Sequence, residues 1–116
     1  MLFVCYPKCS TCRKARKWLD ARGVSYEIRD IKEDRPTEAE LRSWADRSGL
    51  DARKFFNTSG MQYRALDLKN RLPSMSEDEM FALLATDGML VKRPLLVTEE
   101  RVIPGFREEI YAEALG

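Results

Sequence analysis

Three cysteines near the start of the chain carry its thiol chemistry. Cys9 and Cys12 form a C-x-x-C unit, and Cys5 precedes them in the same segment. The 116-residue chain contains no histidine, which excludes His-ligated metals, Ser-His and Cys-His catalytic pairs and an imidazole pH switch. Three cysteines are too few for a thiolate zinc site within one chain and too clustered for a disulfide framework. The residue types therefore favour redox or nucleophilic chemistry without a metal.

Hydrophobic patterning predicts the elements that position these thiols. Residues 2–6 are apolar and are bounded by Pro7, a pattern typical of a short buried strand. Apolar residues then recur at helical spacing from Ser10 or Thr11 onward, and Gly23 supplies a helix stop. A C-x-x-C unit between a strand and the start of a helix indicates a redox site rather than a zinc site.

In this position Cys9 is the candidate nucleophile and Cys12 the candidate resolving thiol. Only a thiolate attacks, and the start of a helix favours an anion because its N–H groups are unpaired there. Cys12, one turn further along, can attack a mixed disulfide or a sulfenic acid at Cys9. The alternative is that both are small buried hydrophobic residues, and we expect Cys5 to pack in the core. The residues expected to bind an anion beside Cys9 are Lys8, Ser10, Thr11 and Arg13, together with Asn57 and Pro94 further along the chain.

The rest of the chain predicts one α/β domain. The predicted elements are a strand over 24–28, helices over 37–49 and 76–88 with short helices between them, strands over 95–98 and 101–103 joined by Glu99-Glu100, and a helix over 107–115. Capping-box patterns at Thr37 and Ser76 mark the starts of the helices over 37–49 and 76–88. The order βαβ, helical block, ββα is a thioredoxin-like arrangement with a mixed sheet and an inserted helical subdomain. We assign residues 1–116 to a single domain, with 1–34 and 89–116 as the thioredoxin-like core and 35–88 as the insertion.

Arg93 and Pro94 directly precede the strand predicted at 95–98. In thioredoxin-like folds the proline at this position is usually cis and lies against the cysteine pair. We therefore predict a cis Arg93–Pro94 peptide bond, which would turn the Arg93 side chain toward Cys9 as an anion clamp. The alternative is a surface arginine before an ordinary trans proline.

Composition and charge place limits on location and partners. The 20 basic and 19 acidic residues leave a net charge of +1, which gives no overall attraction to nucleic acid or to anionic membrane. Residues 1–19 nevertheless contain five cations and no acid. No membrane span or signal peptide is readable, so the expected location is the cytoplasm and the expected state a monomer.

Four motifs together resemble the ArsC/Spx family of thioredoxin-like proteins. They are Pro7-Lys8-Cys9-Ser10-Thr11-Cys12-Arg13-Lys14-Ala15, Phe55-Phe56-Asn57-Thr58-Ser59-Gly60 with Tyr63, Lys92-Arg93-Pro94-Leu95-Leu96-Val97, and Gly105-Phe106. The family includes glutaredoxin-linked arsenate reductases and Spx-type transcriptional regulators. The resemblance implies the fold described above and a reactive thiolate at Cys9.

Within this family, the chain departs from the arsenate reductases at the oxyanion site. Those enzymes usually have serine where Cys12 stands, and they hold the oxyanion with three arginines, of which Arg93 has a clear counterpart here. The resemblance places Asn57 at the second position, and the third falls near Pro104 or Gly105. Arg101 and Arg107 lie beside that third position as displaced substitutes. The loss of charge-assisted contacts predicts weakened arsenate binding.

The resemblance supports two functional hypotheses. In the first, the chain is a cytosolic thiol-disulfide oxidoreductase that uses Cys9 and Cys12 and is restored by glutathione, glutaredoxin or thioredoxin. Glutathione is then a candidate co-substrate, and no metal or tightly bound cofactor is required. In the second, it is a redox-sensing regulator of the Spx type that binds the C-terminal domain of the RNA polymerase α subunit, with Gly49 at the contact. A third possibility is an adaptor with incidental cysteines.

Overall fold

The computed structural model describes residues 1–115, so Gly116, the last residue of the expected domain, lies outside the described part. The elements in chain order are β1 (Leu2–Cys5), α1 (Ser10–Ala21), β2 (Glu27–Asp30), α2 (Glu38–Ser48), α3 (Met61–Ala65), α4 (Leu68–Arg71), α5 (Glu77–Leu84), β3 (Leu95–Val97), β4 (Val102–Pro104) and α6 (Glu108–Leu115). Short 3-10 turns cover Ala52–Phe55, Leu72–Ser74 and Gly88–Leu90. This order confirms the predicted α/β class.

The four strands form one mixed sheet in the order β2-β1-β3-β4. β1 pairs in parallel with β2, which requires the crossover that α1 provides. β3 pairs antiparallel with both β1 and β4. The turn between β3 and β4 is closed where Thr98 N–H donates to the Arg101 carbonyl at 2.8 Å. Glu99-Glu100 is therefore the hairpin turn, as predicted.

Alternating residues of β1 separate the core into two clusters on opposite faces of the sheet. Phe3 and Cys5 face α1 and α6 and pack with Leu19, Leu96 and Tyr111 in one cluster. Val4 faces the other way and packs with the helices that lie between β2 and β3. The inserted helices thus share a core with the sheet.

The insertion is joined to the sheet at Gly88, where the structure corrects a prediction. Gly88 was expected to end the preceding helix, but α5 ends at Leu84 and Gly88 begins a 3-10 turn. Gly88 is buried, and a Cβ atom there would collide with the Ile31 carbonyl. The glycine is needed because two backbone segments approach closely.

β2 begins three residues later than the pattern over 24–28 predicts. Gly23 has a positive φ of 67°, and Val24 N–H donates back to the Leu19 carbonyl at 3.3 Å. Val24 therefore takes part in the turn that closes the C-terminal end of α1. The hydrogen bonds that pair β2 with β1 start where Glu27 N–H donates to the Met1 carbonyl at 2.9 Å. Val24 and Tyr26, which suggested an earlier start of the strand, instead pack beside α1.

Glu40 links the start of α2 to β2. It completes the predicted capping box, in which Thr37 Oγ1 accepts from Glu40 N–H at 3.1 Å and Glu40 accepts from Thr37 N–H at 3.0 Å. Its carboxylate also accepts two bonds from the Arg29 guanidinium, at 2.6 and 2.8 Å. The hydrogen bonds from Arg29 outweigh partial burial and lower the pKa of Glu40 to about 2.

We expect Glu40→Gln to destabilise the fold by about 1 kcal/mol near pH 7, after allowance for solvent screening of this pair. Because the folded-state pKa is depressed, this stabilisation is present above the ordinary glutamate value of 4.5 and is lost as the pH falls toward about 2. Urea unfolding of the wild type and of Glu40→Gln between pH 7 and pH 2.5 measures the difference in their free energy of unfolding. Glu38→Gln is the matched control, because Glu38 makes an exposed contact of 3.4 Å with Arg42. A difference between wild type and Glu40→Gln that does not shrink below pH 4 would contradict the assignment.

No helix among residues 1–115 is both long and apolar enough to cross a membrane.

Candidate active site

Cys9 occupies the N-terminal cap of α1, directly after the turn that follows β1. Its φ and ψ of −86° and 124° are extended, its N–H donates to the Tyr6 carbonyl at 3.0 Å, and its carbonyl accepts from Arg13 N–H at 3.1 Å. Its thiol is half-buried, whereas Cys12 is only 1% exposed. The two thiols therefore differ in access: Cys9 meets solvent and Cys12 lies behind it.

The surroundings of Cys9 favour its thiolate. Burial raises the pKa of the Cys9 thiol, but hydrogen bonds from Cys12 and from Thr11 N–H, together with the positive charge of Arg93, outweigh it. The pKa therefore lies below the ordinary value of a cysteine. Donors at the first turn of a helix stabilise an anion in this way.

The surroundings of Cys12 favour its protonated thiol. A hydrogen bond with the Cys5 thiol and burial both raise the pKa of Cys12, and the negative charge of Cys9 raises it further. Tyr6 N–H donates to Cys12 Sγ at 3.4 Å. Cys5 is 2% exposed and belongs to the core, as expected, yet it also contacts the Cys12 thiol. The surroundings thus favour the protonated form of Cys12 and the thiolate form of Cys9.

Arg93 lies on the other side of Cys9, at the predicted cis Arg93–Pro94 peptide bond, which the structure confirms. Its Nη1 donates to the Met89 carbonyl at 3.4 Å, and its guanidinium lies over the Tyr6 ring, 5.3 Å from the centroid. Its Nε is buried without a hydrogen-bond partner among the described residues. Arg93 therefore retains capacity to bind an anion at Cys9.

A cleft of about 680 Å³ opens in front of Cys9 and Arg93. Its lining carries the cations Lys54, Lys92, Arg93 and Arg107. No aspartate or glutamate is found among the described residues that line it. Phe106 and Ile110 add an apolar wall. A cationic cleft around a thiolate favours substrates that carry negative charge.

The insertion contributes one wall of this cleft through residues 55–60. Phe56 forms an isolated antiparallel bridge with Val91, and Asn57 N–H donates to the Leu90 carbonyl at 2.8 Å. Lys92 N–H donates to the Phe55 carbonyl at 2.7 Å. A Cβ at Gly60 would lie 2.7 Å from Asn57 Nδ2, so a side chain there would displace the amide. These bonds fix Asn57 at the cleft, close in the fold to Arg93.

The opposite wall is held by Gly105, which has a φ of 80°. Its N–H donates to the Pro94 carbonyl at 2.8 Å, and its carbonyl accepts from the buried Tyr111 hydroxyl at 3.3 Å. A Cβ at Gly105 would approach Lys92 Cε to 3.1 Å, so the lysine stem passes close over the glycine. Gly105 therefore connects β4 to both Pro94 and Lys92.

The structure separates the predicted anion-binding residues into two groups. Thr11, Asn57 and Arg93 line the cleft with Cys9. The residues that lie outside its lining are Lys8, Ser10, Arg13 and Pro94. Arg13 Nε donates to the Pro7 carbonyl at 3.1 Å, and Pro94 is buried behind Arg93. The cation that acts on Cys9 is thus Arg93, from a distant part of the sequence.

Arg101 and Arg107, the displaced substitutes for the third arginine position, lie in different places. Arg107 lines the cleft, whereas Arg101 lies 3.7 Å from Glu113 and points to another part of the surface. Sequence analysis did not single out Lys54 and Lys92 as site residues. The available signal was that Lys92 belongs to the same motif as Arg93 and that Lys54 directly precedes the motif residue Phe55.

Gly49, the predicted contact for a partner, ends α2 with a φ of 72° and is exposed. It lines a second groove, of about 590 Å³, between α2 and α5. Leu50 lines both this groove and the cleft of Cys9. The two concave surfaces therefore adjoin each other at residues 49–50.

We expect Arg93→Met to raise the pKa of Cys9 and to slow its alkylation by iodoacetamide at pH 7 about threefold to tenfold, because a neighbouring cation is lost. The matched control, Arg13→Met, should leave the rate unchanged. Alkylation is followed against pH, with the label located at Cys9 by peptide mass spectrometry. Equal effects of the two substitutions would contradict the role of Arg93.

Solved structures with this architecture are similar along nearly the whole chain. A crystal structure of an ArsC family related protein from Bacteroides fragilis is 53% identical, with a TM-score of 0.95 and coverage of 97% of this chain and 94% of that one. An arsenate reductase from Vibrio cholerae is 28% identical, with a TM-score of 0.83 and coverage of 97% of each chain.

Sequence relatives include an uncharacterised protein and transcriptional regulators of the Spx type. The YusI protein of Bacillus subtilis (strain 168) is 52% identical over 113 residues, which are 97% of this chain and 96% of that protein. The global transcriptional regulator Spx 2 of Bacillus cereus is 28% identical over 101 residues, 87% of this chain and 76% of the regulator. Residues 5–114, which include the cysteines, the cleft and all of α6 but its last residue, match the ArsC family as a unit. The chain is therefore a member of the ArsC family, with the thioredoxin-like fold of its arsenate reductase-like and Spx-type relatives.

Proposed function

We propose that the protein is a thiol-disulfide oxidoreductase in which Cys9 is the nucleophile and Cys12 the resolving thiol. The observation that carries this proposal is the contrast between the two thiols in one helical turn. Cys9 is accessible and its pKa is lowered, while Cys12 is buried and its pKa is raised. A nucleophile must be ionised and open to substrate, whereas a resolving thiol must stay unreactive until the first bond has formed.

The reaction proceeds in two balanced steps. The Cys9 thiolate attacks one sulfur of a substrate disulfide, forms a mixed disulfide and releases the other sulfur as a thiolate. Cys9 then no longer carries the negative charge that raised the pKa of Cys12. Cys12 loses its proton to the released thiolate or to water and attacks Cys9 Sγ. The mixed disulfide breaks, and the second substrate sulfur leaves as a thiolate that takes a proton from water. The products are a Cys9–Cys12 disulfide and two substrate thiols, so the substrate gains two electrons and the protein loses two.

Charge in the cleft favours an anionic substrate. The guanidinium groups of Arg93 and Arg107 and the ammonium groups of Lys54 and Lys92 surround the approach to Cys9. Asn57 is uncharged, and Arg101 lies outside the cleft. The family resemblance implies that arsenate is held by three arginines, and this cleft does not reproduce that set. The arrangement supports an anion-bearing disulfide as the substrate better than it supports arsenate.

A second dithiol or two glutathione molecules would restore the reduced state. The half-buried Cys9 sulfur is the accessible end of the internal disulfide. The incoming thiolate would attack there, and Cys12 would leave as a thiol. Glutathione, glutaredoxin and thioredoxin are the proposed reductants, and no bound cofactor is needed because all electrons pass between sulfur atoms.

We expect Cys9→Ser to abolish disulfide reduction and Cys12→Ser to stop the reaction at a mixed disulfide on Cys9. The assay follows reduction of a small disulfide with glutathione or with glutaredoxin as reductant, and intact-protein mass spectrometry detects the trapped adduct. Cys5→Ser is the matched control because it removes the third thiol but keeps a hydrogen-bonding group beside Cys12, and it should retain turnover. Unchanged turnover in Cys9→Ser would refute the proposal, as would an adduct on Cys12 in place of Cys9.

A regulator of the Spx type is the second candidate function. It is favoured by the Spx relatives and by the groove at Gly49, which adjoins the thiol cleft through Leu50. In this function the Cys9–Cys12 redox state would control docking of the RNA polymerase α subunit at the groove.

For the regulator, the immobilised protein should capture the purified C-terminal domain of the α subunit in one redox state. Gly49→Arg places a long side chain in the groove and should reduce the amount of captured domain at least tenfold. Gly49→Asn tolerates a left-handed backbone and should preserve capture. Absence of capture by both the oxidised and the reduced protein would exclude this function.

A further inference from the structure

Tyr6 contacts the three groups that carry the chemistry of the site. Its carbonyl accepts from Cys9 N–H at 3.0 Å, and its N–H donates to Cys12 Sγ at 3.4 Å. Its ring lies under the Arg93 guanidinium, 5.3 Å from centroid to Cζ. The first two contacts involve only the backbone of Tyr6. The contact with Arg93 is the one that depends on the side chain.

Arg93 has few other groups that fix its direction. Its Nη1 bond to the Met89 carbonyl is 3.4 Å long, beyond the usual range of a strong N–H···O bond. Its Nε has no hydrogen-bond partner among residues 1–115, and the ion pairs of this part of the chain do not include Arg93. The ring of Tyr6 lies within the roughly 6 Å at which a cation is attracted to an aromatic face. This contact therefore has a large share in holding the guanidinium.

We propose that Tyr6 is a positioning residue whose ring holds the Arg93 guanidinium beside Cys9, so that Tyr6 governs how strongly the site attracts an anionic reactant. Tyr6 is absent from the lining of the cleft, so it acts through Arg93 rather than by touching the substrate. It packs against the core cluster of the insertion, which fixes the ring itself. The inference rests on the proposed thiolate chemistry at Cys9.

The test compares alkylation of Cys9 by iodoacetate, which is anionic, with alkylation by iodoacetamide, which is neutral. The ratio of the two rates reports the positive field at Cys9, and the fraction of thiolate cancels in it. Tyr6→Leu should lower this ratio about threefold to tenfold. Tyr6→Phe, which keeps the ring, should leave the ratio unchanged. Because no substrate or reductant is used, failure of this inference and failure of the proposed function are distinguishable.

A double-mutant cycle shows whether Tyr6 acts through Arg93. Arg93→Met should lower the ratio by at least as much as Tyr6→Leu. In the Arg93→Met background, Tyr6→Leu should then cause no further change. A merely structural role for Tyr6 would lower the stability of the fold but would not move the ratio, and circular dichroism and urea unfolding monitor that effect.

Tyr6→Met provides a second variant without a ring, in case Tyr6→Leu fails to fold. A wild-type ratio in a folded Tyr6→Leu or Tyr6→Met protein would overturn the proposal. An undiminished effect of either substitution in the Arg93→Met background would also overturn it, because the ring would then act on Cys9 by another route.

Discussion

Stabilisation of a negative charge on a half-buried sulfur is the constraint on which the site depends. Burial alone would keep Cys9 protonated, so donors must be supplied at close range. The first turn of α1 supplies N–H groups, because the N-terminal N–H groups of a helix have no partner within it. They reach Cys9 only because the turn after β1 closes on the Tyr6 carbonyl and makes Cys9 the cap of the helix. The short connection between β1 and α1 is therefore part of the chemistry.

The mixed sheet brings the second source of positive charge to the same place. β3 lies beside β1 in antiparallel orientation, so the start of β3 is adjacent to the end of β1. Arg93, just before β3, is thereby placed beside Cys9. Gly105, just after β4, donates to the Pro94 carbonyl and closes the far wall of the cleft. The thiolate and its cation thus come from opposite ends of the chain.

The inserted helices place two concave surfaces next to each other. The bridge between Phe56 and Val91 brings residues 55–60 to the cleft, and the end of α2 brings Gly49 to the adjoining groove. Both surfaces share Leu50. One fold can therefore present a thiol site for catalysis and a groove for a partner protein, which fits a family that contains reductases and regulators. The identity of substrate or partner depends on surface residues rather than on the fold.

The sequence by itself determined the elements and the two thiols. The cis Arg93–Pro94 bond, expected by analogy with thioredoxin-like folds, agrees with the structure. Strict patterns with local causes were also reliable: the C-x-x-C unit at a helix start and the capping boxes at Thr37 and Ser76 agree with the structure. Each depends on residues that are near neighbours in the chain.

Only the tertiary structure decided which charges face Cys9. Lys8 and Arg13 are close in sequence but lie outside the cleft, while Lys54, Lys92 and Arg107 line it. Glycine commonly ends a helix, but Gly88 is required because the Ile31 backbone, from a distant segment, approaches it closely. The contact of Tyr6 with Arg93 likewise joins residues 87 positions apart. Such contacts follow from strand order and helix packing, which pairwise spacing along a single sequence does not encode.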